Sequence, residues 1–239
     1  MKETGTIFST PMVQALQRGK SVTRRTRGLE EINKEPDRWK FIKKWADENL
    51  YIFERDDGSF WRLKCPYGGK GDVLRVKETY CHKVDLITAI VAEDEFWYFA
   101  SDPEVYKADG DGGMELTKSG YLASPWKSPI FMPKAASRYF LPLTADPIPE
   151  RVQSITEAEA IAEGITKVGC ITADEAKQRG WNAGDLYGLQ DWLKYDIFSY
   201  TAKDAFARLW DELNQARGYS WKFNPWCWPL RFKPLTGAR

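Results

Sequence analysis

A lysine, a threonine and a glutamate that could share one acyl-transfer reaction stand in two short segments of this chain. Around the first two, Arg18, Lys20, Arg24, Arg25 and Arg27 supply five positive charges between Gln17 and Arg27, with no acid among them. Such a run is either a solvated strand edge, which also discourages edge pairing, or a face that binds an anion. Thr23 lies inside it. A threonine hydroxyl becomes a nucleophile only when a base removes its proton. Lys20 serves as that base if its amine is held neutral, and neighbouring cations push it that way by disfavouring the charged form. The plainer alternative makes Thr23 an ordinary strand residue. Glu163 precedes Gly164 in the last turn of a predicted helix. A carboxylate there faces the negative end of the helix dipole. A raised pKa at that place suits a general acid or base; a solvent-facing glutamate with a small tolerated cost is the alternative.

The elements that must position these residues can be read around them. Ser9 or Thr10 caps a helix, Pro11 suits its first turn, and Met12, Ala15 and Leu16 fall at helical spacing. Gly19 stops it. Lys20 to Arg25 reads as a strand through Val22 and Thr23. Strict alternation places Lys20 and Thr23 on opposite faces, so they meet only if Lys20 lies in the turn after Gly19 or a bulge intervenes. Thr156 with Glu159 forms a capping box that opens the helix ending at Gly164. Thr201 with Asp204 reads as a second box, before an amphipathic helix carrying Phe206, Leu209, Trp210 and Leu213 and ending at Gly218. Trp226, Trp228, Leu230 and Phe232 alternate along a closing strand in which Pro229 leaves one side unpaired.

Other segments read as decoration. Glu30 to Asn49 has Trp39, Ile42 and Trp45 spaced for one side of a helix. Leu50 to Lys64 reads as a hairpin turning at Asp56-Asp57-Gly58. Cys65 to Asp72 is turn chemistry, followed by a strand over Val73–Glu78. Further strands are expected near Ile87–Ala92, Phe96–Ala100, Arg138–Leu143 and Arg151–Ile155, with an acidic Gly-rich stretch at Ala108–Met114. Residues 165–200 read as irregular. The sum is an α+β fold: one domain over 1–235, a small β-barrel with packed helices, carrying insertions at about 28–64, 81–130 and 165–200. Residues 236–239 read as a loose tail.

Composition narrows the function classes. Thirty-five basic and 34 acidic residues leave a net charge of +1, which excludes a strongly basic nucleic-acid binder and favours a local contact or a small ligand. Four cysteines without ligand spacing and a single histidine, His82, make no metal centre, and neither a metal nor a cofactor is expected. No signal peptide or membrane-length apolar run is read, so a cytoplasmic monomer with free thiols and no membrane contact is the expectation. Aromatic residues make up 14% of the chain, enough to fill a core and also to stack bases.

The segment Gly19-Lys20-Ser21-Val22-Thr23-Arg24-Arg25 resembles the signature of the ASCH family, a PUA-like group. Gly71-Asp72-Val73-Leu74-Arg75-Val76 resembles its turn and strand, Thr156–Gly164 its later helix and Trp226–Lys233 its closing strand. The Cys65–Gly71 turn, Lys77-Glu78-Thr79, Met132–Arg138 and Asn224-Pro225-Trp226 are similar to blocks of its longer, phage-type members. In this chain the glycine directly precedes the lysine, and Ser21 follows it. The resemblance implies a PUA-like barrel whose cleft accepts a nucleoside or RNA. It also implies an amidohydrolase acting on N4-acetylcytidine or a related modified nucleoside, with Lys20, Thr23 and Glu163 as its catalytic residues. Ser21, Arg24, Arg25, Asp72, Arg75, Lys77 and Glu78 would then bind substrate. A non-catalytic RNA or modified-nucleic-acid module, or a ribonuclease using the same basic cleft, is the alternative.

Overall fold

The computed structural model describes residues 1–45, 49–84, 91–98, 100–101, 122–123, 126–189 and 198–234. In chain order its elements begin β1 (Glu3–Ile7), α1 (Thr10–Gln17), β2 (Val22–Arg25), β3 (Trp39–Trp45), β4 (Leu50–Arg55), β5 (Phe60–Lys64) and β6 (Val73–Lys77). They continue with β7 (Tyr80–Val84), β8 (Val91–Tyr98), β9 (Leu122–Ala123), β10 (Phe140–Pro142), β11 (Glu150–Arg151) and α2 (Glu157–Ala162). The last are β12 (Thr166–Ile171), α3 (Ala173–Arg179), β13 (Gly184–Gly188), α4 (Ala202–Asn214) and β14 (Trp226–Arg231). The fold is mixed α+β. Its described strands form separate small sheets, and no closed barrel is found among them, because β2 and β11 remain the edges of the sheet centred on β14.

Contacts divide the chain into two compact units, residues 1–2, 15–73 and 142–239 in one and residues 3–14 and 74–141 in the other. The second holds the sheet β1-β6-β10 and the sheet β8-β7-β9. The first holds β11-β14-β2, the antiparallel ribbon β3-β4-β5, the pair β12-β13 and helices α2 to α4.

In the first unit β14 is the central strand, and it is buried from Trp226 to Leu230 instead of alternating. The face that carries Trp226 and Trp228 is covered by rings from β4. Tyr51 packs edge-on to Trp228 with centroids 4.7 Å apart, and Phe53 meets Trp226 at 5.2 Å. Such pairs add to the area that large rings bury. Pro229 sits opposite Arg24 of β2, while β11 reaches only Trp226 and Cys227. The missing N–H therefore falls beyond the end of β11, as the sequence requires. Helix α4 buries Phe206, Leu209 and Trp210, whereas Leu213 is 39% exposed.

Several expected elements differ. Residues 30–45 form no α-helix; short 3-10 turns at Ile32–Lys34 and Pro36–Arg38 lead into β3. Pro36 interrupts helical hydrogen bonding, and Trp39 and Phe41 follow a period of two that pairing with β4 rewards: Phe41 stands opposite Phe53. The hairpin over Leu50–Lys64 forms as β4 and β5. The strand expected at Arg151–Ile155 stops at Arg151 and gives way to a 3-10 turn, and that at Arg138–Leu143 shortens to Phe140–Pro142. Within the segment expected to be irregular, residues 166–188 form β12, α3 and β13. The second full capping box is Thr172 with Glu175; Thr201 caps α4 by accepting from Asp204 N, without the reciprocal bond. Most of the strand expected near Ile87–Ala92, the stretch Ala108–Met114 and the tail lie outside the described residues.

Candidate active site

Lys20 is placed by the way α1 ends. Gly19 takes a φ of +104°, and Lys20 N donates to Ala15 O at 2.9 Å, which closes the helix in a turn. Lys20 therefore precedes β2, which begins at Val22. The strand expected from Lys20 is two residues shorter at its start, because the backbone of Lys20 and Ser21 is used elsewhere. Ser21 N donates to Ala162 O, and Ser21 O accepts from Phe232 N, both at 2.9 Å.

Glu163 is placed by the end of α2, where it is the C-cap residue. Gly164 follows with φ +105°, and a Cβ there would stand 2.7 Å from Ala15 Cβ. Only glycine allows this approach, which packs the end of α2 against the end of α1. Lys20 Nζ consequently donates to Glu163 O, and to Glu163 Oε2 at 2.6 Å. Both side chains are buried, 0% and 4% exposed. The lysine thus supplies the cation that a helix C-terminus favours, and it pairs with a carboxylate that the dipole alone would disfavour.

Arg24 completes the cluster. Its Nη1 donates to Glu163 Oε1 at 3.2 Å, and its Nε and Nη2 both reach Glu150 Oε1, at 3.1 and 2.6 Å. Nη2 also lies 3.1 Å from Glu159 Oε2. Glu159 in turn accepts from Arg231 Nη2 at 2.6 Å and from Thr156 N in the capping box. Three cations, Lys20, Arg24 and Arg231, therefore meet three carboxylates, Glu150, Glu159 and Glu163.

The electrostatics follow from burial and from these neighbours. Burial pushes the Lys20 amine below its ordinary value of 10.5; Glu163 opposes this, and Arg25 and Arg24 add to it. Burial also works against the charge of Arg24, yet Glu163 and Glu150 hold that guanidinium firmly protonated. Burial lowers the Arg25 guanidinium as well. Although burial opposes it, the Thr156 N–H with Arg231 and Arg24 keeps Glu159 below the usual carboxylate range. The Cys227 thiol beside the cluster is fully buried with Sγ 3.5 Å from Glu150 O, and burial pushes its pKa up, so it is no thiolate nucleophile.

Lys20, Glu163 and Arg24 are thus brought together. Thr23 is buried on β2, opposite Leu230 of β14. The hydrogen bonds of Lys20 and Glu163 go to each other and to Arg24, not to Thr23. Asp72 holds its own turn, accepting from Lys2 N at 2.6 Å and Gly69 N at 3.0 Å. Arg75, Lys77 and Glu78 belong to the second unit and are engaged there. Arg75 donates to Ser137 at 2.9 Å and lies 3.1 Å from Glu3, and Lys77 Nζ donates to Ile130 O. Glu78 accepts two bonds from Arg138, at 2.8 and 2.9 Å.

Glu150, Glu159 and Arg231 were not singled out from the sequence. Glu159 was visible only as the third residue of a capping box; its second partner, Arg231, is distant in the chain. Among the described residues no three His, Cys, Asp or Glu side chains gather as metal ligands, since the three glutamates share Arg24 instead. Among the described residues no helix is long and apolar enough to cross a membrane. No family model, curated protein or solved structure matches this chain.

Proposed function

We propose that this protein is an ASCH-like amidohydrolase on a PUA-like barrel plan, removing the acyl group of N4-acetylcytidine or a related acylated nucleoside. The observation that carries this reading is the buried contact of Lys20 Nζ with Glu163 Oε2 at 2.6 Å. A lysine whose amine is pushed below 10.5 beside a carboxylate is equipped to move a proton. Arg24 draws part of the Glu163 charge, which leaves less to hold the lysine protonated.

In the reaction, neutral Lys20 takes the Thr23 hydroxyl proton as Oγ1 attacks the acetyl carbonyl carbon. The tetrahedral intermediate collapses with cleavage of the carbon–N4 bond. The proton held between Lys20 and Glu163 passes to N4, and cytidine leaves. Water, deprotonated by Lys20, then attacks the acetyl-Thr23 ester; acetate leaves and the hydroxyl regains its proton. Substrate must bring Thr23 and Lys20 together, since catalytic hydrogen bonds often tighten only when substrate is bound.

Rapid quenching during turnover, followed by peptide mass spectrometry, tests the covalent step. An acetyl group on Thr23, absent from Thr23→Ala, is expected. A Thr23→Ala protein that deacylates at the parent rate would refute the mechanism.

A further inference from the structure

The ribbon β3-β4-β5 carries a face that neither folding nor the Lys20 cluster explains. Its inner face packs inward along β4, where Tyr51 and Phe53 are fully buried against Trp228 and Trp226, while Trp61 at its β5 edge is 45% exposed. Side chains alternate across a strand, so the outer face presents the intervening positions. Register sets them in three rows: Trp45, Leu50 and Lys64; Lys43, Ile52 and Arg62; Lys40, Glu54 and Phe60. Trp45 is 49% and Phe60 57% exposed, and Lys40, Lys43, Arg62 and Lys64 are exposed as well. Glu54 is the sole acid in these rows.

We infer that this outer face binds single-stranded nucleic acid, stacking bases on Trp45 and Phe60 and setting phosphates against the lysines and arginine between them. Large rings left in water at opposite corners contribute little to stability, and stacking on a base is the use that their flat faces fit. Strand spacing and rise put the two rings roughly 17 Å apart, room for more than one nucleotide. The middle row places Lys43 and Arg62 between them over buried Ile52, and Lys43 Nζ lies 5.2 Å from the Trp45 ring centroid. Charge selects the partner. Four cations against one acid suit a polyanion and repel a second copy of the same face. The open strand is favoured over a duplex because only unstacked bases offer their rings. This inference stands apart from the Lys20 site and does not depend on it.

Fluorescence anisotropy of labelled oligo-uridine and oligo-thymidine strands, about ten nucleotides long, with the full chain provides the test. Binding is expected at about 50 mM salt and weaker at about 200 mM. Trp45→Ala and Phe60→Ala should each weaken it about tenfold, and Lys43→Glu with Arg62→Glu should flatten the salt dependence by about one unit or more of log–log slope. Glu163→Gln should leave it unchanged. The four ribbon positions lie at the surface and can be altered without touching the core, and circular dichroism confirms that every variant, including the buried Glu163→Gln, is folded. The uridine and thymidine arms show whether a 2′-hydroxyl is read. Absence of binding at low salt, equal binding of a duplex, parental affinity in all the ribbon variants, loss of binding in Glu163→Gln, or equal competition by polyglutamate would overturn the inference.

Discussion

Lys20 is the residue on which the proposed chemistry turns, and its protonation has two opposing causes. Burial lowers its pKa, while Glu163 raises it. Glu163→Gln removes the carboxylate, so the acid limb of the kcat/KM profile assigned to Lys20 should move to lower pH as kcat falls. An unmoved limb would assign it to another group. The sign for stability follows. Between the folded pKa of Lys20 and 10.5 the unfolded chain binds a proton that the folded chain does not, so this residue makes stability rise with pH in that window. Arg24, with a side chain 1% exposed, faces three carboxylates. Arg24→Met should cost about 3–5 kcal/mol in urea unfolding, because breaking a buried pair strands the remaining charge. At this scale the sequence showed which residues were unusual, Lys20 in a run of cations and Glu163 at a helix end. It did not show Arg24 as the hub, because Glu150 and Glu159 reach it from more than a hundred residues away.

Glycines fix the two turns that hold Lys20 and Glu163, and they do so differently. Gly19 and Gly164 have nearly the same φ, +104° and +105°, yet a Cβ at Gly19 meets nothing within 4 Å and one at Gly164 meets Ala15 at 2.7 Å. Both alanine variants bear backbone strain of about 1–3 kcal/mol. Gly164→Ala should lose more in thermal unfolding and also lose activity, because it must displace Glu163. Gly19→Ala should retain most of its activity. Equal losses in both variants would show that packing of α2 on α1 does not set the site. Elements with local causes were legible: α1 with its glycine stop, the Thr156 capping box, and the hairpin of β4 and β5. Trp39, Ile42 and Trp45 satisfy a helical spacing, yet the segment forms strand β3. Its pairing with β4 and the bulge between Phe41 and Lys43 are decided by neighbours outside the segment.

Across the whole molecule, a near-neutral charge conceals local concentrations of opposite sign. The α+β class was readable from the order of elements, but the division into small sheets was not, since strand pairing is nonlocal. Acid should unfold the protein through carboxylates held in their charged form. Glu159 is kept below its ordinary 4.5 against the effect of burial by Thr156, Arg231 and Arg24. Asp72 is lowered chiefly by the Lys2 N–H, and Asp146 chiefly by Lys44. Their stabilisation is complete above the unfolded pKa and disappears as pH falls through the lower folded values. Arg231→Leu should therefore move the acid-unfolding midpoint upward, as read by tryptophan fluorescence. The proposed deacylation has a direct assay. Mixing the protein with N4-acetylcytidine and following the ultraviolet spectrum should show conversion to cytidine, abolished in Lys20→Met and preserved in Arg62→Glu. An unchanged spectrum with the folded parent protein, or parental turnover by Lys20→Met, would contradict it.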